Sequence, residues 1–222
     1  DVLNQQREVI YDQRRRVLEG ENMKEAILDM VAEIIDRLIA EHTVEQGFLD
    51  DYNARALLER AEELFARRDA IALESLIDRE KEDLRPLLVD ESRAFYEQRE
   101  AELTTAIMRE LERVVLLRTV DRHWMYFIDV MHQLRHEIHL QAYGQRDPLV
   151  QYRLQSAEMF EDMIRQIQAD VVRAIYHIQV NTAPRRQSVA GEATGYQPRI
   201  AAVGGGSAQA QSGGEKQGKP AG

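Results

Sequence analysis

The sequence predicts an all-α fold: long amphipathic helices, an antiparallel two-helix hairpin, a small helical subdomain and a disordered C-terminal tail. Three observations predict it. Apolar residues recur at steps of three and four over long stretches before Val180, the mark of helices with one buried face. The composition is rich in Leu, Ala, Glu, Arg and Gln, residues that lose little on entering a helix. Nine of the twelve glycines lie beyond Val180, so helix breakers are scarce where the rhythm is strong.

The first helix is expected from about Val2 to Glu19, weakened at Gly20. Asn22 followed by Glu25 forms a capping-box pattern for a second helix, through Ile27, Met30, Val31, Ile34, Ile35 and Leu38 to about His42. Two amphipathic helices in succession require two burial partners. The chain opens at Asp1 already in helical rhythm, so it is expected to be a segment of a longer protein.

Between Thr43 and about Asp90 the rhythm is choppier. Asp50 and Asp51 can cap a short helix holding Leu57, Leu58, Leu64 and Phe65. A shorter pair is expected around Ile71–Ile77 and Asp83–Phe95, with Pro86 in a first turn. The abundant charges read as solvated helix faces.

The most regular part begins near Ser92. Leu103, Ile107, Leu111, Val114, Leu117, Val120, Trp124, Ile128, Met131, Leu134 and Ile138 form a seam with a mean spacing of 3.5 residues. A helix from about Leu103 to His136 would be roughly 50 Å long at 1.5 Å per residue. Gly144 can break it, and Asp147 ahead of Pro148 is a restart signal, a capping carboxylate before proline at the first helical position. The return helix carries Leu149, Tyr152, Phe160, Met163, Ile167, Val171, Ala174 and Ile178, with Ser156 as its polar gap. Two long helices joined by a short loop lie antiparallel. Past Val180 almost no large apolar residue remains, too little to offset conformational entropy by burial.

Several function classes are excluded. There are no cysteines, hence no disulfides, thiolate catalysis or Cys-based zinc site. No stretch reaches the roughly 20 apolar residues of a membrane helix. Residues 1–180 hold 24 basic and 37 acidic residues, against 5 and 2 in residues 181–222, so the folded part opposes nucleic acid. Neither a GxxxxGK[ST] phosphate loop nor a G-x-S-x-G elbow is present. His132, His136 and His139 share one side of a helix and could ligate a metal. HEIH is not the HExxH signature, however, and no carboxylate joins them on that face. Trp124 is expected in the core. Arg14, Arg15 and Arg16 read as a solvated face, with an acidic partner as the alternative.

The hairpin loop is the candidate working site. It presents Ile138, Leu140 and Tyr143 beside Gly144. An aromatic and two aliphatics at a tip are buried in their own loop or against something else, and a long arm favours the second.

DVLNQQREVIYDQRRRVLEGENM, LLRTVDRHWMYFIDVMHQLRHEIHLQAYGQRDPLVQY and EMFEDMI together resemble the C-terminal third of the SecA family, the motor ATPases of bacterial preprotein translocation. The resemblance covers roughly residues 1–180, and IHLQAYGQRDP followed by Tyr152 is its most specific stretch. It implies that residues 1–42 are the long-helix part of a helical scaffold, 43–104 a helical wing and 105–180 a two-helix finger completing the scaffold, with 181–222 a tail. The implied partners are the SecYEG channel, preprotein substrates, the parent's own nucleotide-binding and cross-linking domains, an anionic membrane surface and a second copy in a homodimer. Tyr143 matches the finger-tip residue that contacts the translocating polypeptide. Ile138, Leu140 and Gly144 would support that loop, and Asp147 and Pro148 restart the helix after it. The chain itself would be no enzyme, without cofactor or metal; ATP and Mg belong to motor domains whose Walker motifs it lacks. The implied location is cytoplasmic and peripheral on the cytoplasmic face of the bacterial inner membrane. The Cys-rich zinc tail of many members has no counterpart in SGGEKQGKPAG. Two rival readings are a free-standing helical adaptor and a metal-dependent enzyme built on the three histidines.

Overall fold

In the computed structural model, residues 2–20, 22–43, 49–77, 79–141 and 147–179 are described, without the side chains of 139–141. The chain divides into two units, Asp1–Thr182 and Ala183–Gly222, the second outside the described residues. The first is built from α1 (Val2–Leu18), α2 (Met23–His42), α3 (Asp51–Leu64), a 3-10 turn at Leu73–Ser75, α4 (Lys81–Leu103), α5 (Thr105–Gln141) and α6 (Pro148–His177). The all-α expectation holds for these residues.

Local chemistry explains most boundaries. Gly20 ends α1 with φ +81°, a left-handed conformation that glycine adopts without a Cβ penalty. The Asn22 side chain then caps α2, accepting a hydrogen bond from the Lys24 backbone N–H at 3.1 Å. A capping box would have used the N–H of Glu25 instead. Asp50 caps α3 through the Asn53 N–H at 2.7 Å.

The α2 helix is the hub. Met23, Ile27, Val31, Ile34, Ile35, Leu38 and Ile39 are buried along it, a stripe wide enough to pack against α3, α4, α5 and α6. Each such aliphatic side chain contributes about 1.5–3 kcal/mol when fully buried.

Two expectations in the middle of the chain are corrected. The Ile71–Ile77 segment holds only the 3-10 turn. Its buried anchors, Ile71 and Leu76, are five residues apart, about 140° around an α-helix, so a helix could not point both at one core. The following helix runs over Lys81–Leu103, with Pro86 inside it rather than in the first turn. Leu84 and Leu88, both fully buried, flank the exposed Pro86 and hold the helix across it. Beyond Phe95 the stripe continues through Tyr96 to Leu103. It is obscured in the sequence because Ser92, also buried, is one of its members. Ser92 packs there because its hydroxyl donates to the Val89 carbonyl at 2.8 Å, while its own carbonyl accepts from the Tyr176 hydroxyl at 3.1 Å.

The long arm is the α5–α6 pair. Its partners fall in residue number on α6 as they rise on α5: His123 with Asp170 at 2.9 Å, Phe127 with Phe160 at 5.7 Å between rings, and Ile138 with Tyr152 around one surface hollow. That is antiparallel packing. In the second half of α5 the buried residues are Trp124, Phe127, Met131, Leu134 and Ile138, close to the expected seam. In the first half the buried line is displaced by about one residue. Met108, Glu112, Val115, Leu116, Thr119 and Val120 are buried, while Ile107, Leu111, Val114 and Leu117 are only partly so. There α5 meets α1, α2 and α4 as well as α6, and two members of its buried line, Glu112 and Thr119, are polar.

Alongside the arm lies α1. The Gln6 amide donates to the Ser156 hydroxyl and carbonyl at 3.0 and 3.1 Å, and Arg14 pairs with Asp121 at 3.4 Å. Ser156 is therefore a built contact with α1, not a gap in the stripe.

Candidate functional site

Toward the tip, the two arms of the hairpin are finished by short-range chemistry. The Asp147 carboxylate accepts from the Leu149 N–H at 2.9 Å, its carbonyl accepts from Gln151 N–H at 3.1 Å, and Pro148 is the first residue of α6. Proline there removes a donor that has no intrahelical acceptor. Ile138, 6% exposed, lines a hollow with Arg135, Pro148, Leu149 and Tyr152. The structure thus brings Ile138 and the start of α6 together. Leu140 sits in the last turn of α5, its side chain outside the described residues, and Tyr143 and Gly144 lie outside them altogether.

The first turns of α6 leave three apolar side chains exposed that the stripe did not anticipate. Leu149, Val150 and Leu154 are 56%, 52% and 62% exposed. Leu149, counted in the sequence with the residues of the return stripe, is exposed where it borders the Ile138 hollow, whereas Val150 and Leu154 lie together around the helix from it. On α5, His132 and His136 are exposed, while the His139 side chain falls outside the described residues; no metal-holding group occurs among the described residues. No described helix is long and apolar enough to cross a membrane.

At the other end of the arm lies a polar cluster that sequence reasoning missed. Glu112, 1% exposed, accepts from the Tyr96 hydroxyl and from Arg109 at 2.9 and 3.0 Å. Arg109 also reaches the Tyr96 oxygen at 3.1 Å, the Asn22 side chain at 3.2 Å and Glu100. Lys24 completes the group, 3.0 Å from Glu100 and 5.0 Å above the Tyr96 ring. Burial pushes the Glu112 carboxyl above its ordinary range, against the opposing pull of Tyr96 and Arg109. Burial likewise raises the Tyr96 phenol, helped by Glu112. Lys24 and then Arg109 hold Glu100 below the usual carboxylate range. The spacings that could have signalled this are Tyr96–Glu100 on one helix and Arg109–Glu112 on the next, but nothing local says that they meet.

The turn that follows α3 is tied to α4 by a bidentate pair, Arg67 to Glu91 at 2.8 Å through both carboxylate oxygens. The guanidinium holds the Glu91 carboxyl below its ordinary range. A carboxylate depressed in the folded state stabilises it above the unfolded value of about 4.3, and that stability is lost as pH falls through the folded value. Acidification from about pH 7 to about pH 3 is therefore expected to lower the melting temperature. Glu91→Gln should shrink the acid-induced loss by about 1 kcal/mol or less, since Arg67 is half-exposed and screened. Thermal melts of both proteins across pH check this; parallel pH profiles would refute it.

The whole described chain also has known relatives. A sequence model of the SecA Wing and Scaffold domain matches residues 1–179. A protein translocase subunit SecA from Pelotomaculum thermopropionicum is 45% identical over 187 residues, 84% of this chain and 21% of that protein. Those from Heliobacterium modesticaldum and Acetivibrio thermocellus are 41% and 45% identical over 183 and 194 residues, 82% and 86% of this chain. The chain spans about a fifth of the length of these relatives, at 21–22% of each. A match running from the first residue through the last described turn of the arm covers the helical unit from end to end: the chain belongs to the SecA wing and scaffold family.

Proposed function

We propose that this chain is the scaffold, wing and finger portion of a SecA-type translocase. On this reading residues 1–42 are the long-helix part of the scaffold, 43–104 the wing and 105–180 the finger. It couples ATP hydrolysis, carried out in nucleotide-binding domains outside this chain, to movement of a preprotein through the SecYEG channel. The work takes place in the cytoplasm and at the cytoplasmic face of the bacterial inner membrane. ATP and Mg bind in those other domains, since no phosphate loop occurs in this sequence.

The observation that carries the reading is the arm. Helices of 37 and 30 residues pack antiparallel, and the exposed Leu149, Val150 and Leu154 follow shortly after Tyr143 in the sequence. A stiff arm transmits displacement from the scaffold to its tip, and a tyrosine there suits many polypeptide sequences because an apolar ring carries a polar hydroxyl. The family membership supports the same assignment. It is tested with a photo-crosslinking residue at position 143 of a full-length protein that carries this chain, with a preprotein arrested in the channel. Cross-links to the preprotein are expected from 143 and not from position 52 on α3, where Tyr52 is 79% exposed. Equal yields from both positions, or none from 143, would overturn it.

A further inference from the structure

We draw no further inference here: the strongest candidate, the apolar hollow between α1, α2, α5 and α6 lined by Arg14, Val17, Met23, Met30, Leu117 and Ile167, lies open at the surface, and nothing in the structure shows what covers it.

Discussion

Tyr143→Ala in a full-length protein carrying this chain is expected to reduce preprotein transport about tenfold or more, with basal ATP hydrolysis within about twofold of the parent. The magnitude follows from the group removed. A ring of this size pressed against a polypeptide contributes about 1.5–3 kcal/mol of apolar contact, and about 1.4 kcal/mol is a factor of ten. The asymmetry between the two activities follows from position. Tyr143 falls in the sequence between α5 and α6, whereas on the proposed reading phosphate chemistry belongs to domains outside this chain. Tyr143→Phe keeps the ring and should retain most transport. Translocation of a labelled preprotein into vesicles, alongside phosphate release without preprotein, reads both quantities. Unchanged transport in the alanine variant would remove Tyr143 from the working tip.

The fold was legible where burial is one-sided and apolar. α2, the second half of α5 and the Asp147–Pro148 start of α6 follow from spacing and capping alone, because each presents an uninterrupted apolar stripe or a cap with one obvious role. Legibility failed where polar residues occupy the core. Ser92, Glu112, Thr119 and Ser156 are all buried. Two of them are satisfied from far away or from the next helix, Ser156 by Gln6 and Glu112 by Tyr96, and no local pattern signals such a partner. A hydrophobicity rhythm reads such positions as surface, which moved the seam of α5 by about one residue and cut α4 short. The α4–α5 boundary at Thr104 falls close to the expected start of the long helix near Leu103, and only the length of the helix before it was misjudged. Near the tip, sequence pattern located the restart of the helix at Asp147 and Pro148. The exposure of Leu149 escaped it because an apolar stripe does not say which of its members the partner helix covers.

Trp124→Ala separates the stiffness of the arm from the chemistry of its tip. Trp124 is 5% exposed and stacked on Phe127 at 5.6 Å, and Phe127 in turn meets Phe160 of α6 edge-on at 5.7 Å. Truncation removes the largest side chain of this aromatic run and leaves a cavity between the two helices. The expected cost is about 3–5 kcal/mol, a fall in melting temperature of roughly 6–20 °C for a chain of this size. Trp124→Phe should recover most of it, since a smaller ring still fills part of the site. A fall below about 2 °C would show that α5 and α6 are not held together at Trp124. In the full-length protein, the two alanine variants should then fail differently. Trp124→Ala should lose transport in step with the loss of thermal stability, and Trp124→Phe should restore both. Tyr143→Ala should lose transport at an unchanged melting temperature. An arm that only had to be present would be indifferent to the first change, and one that worked by stiffness alone would be indifferent to the second. Loss in both, by these separate routes, is the behaviour of a rigid lever with a contact at its end.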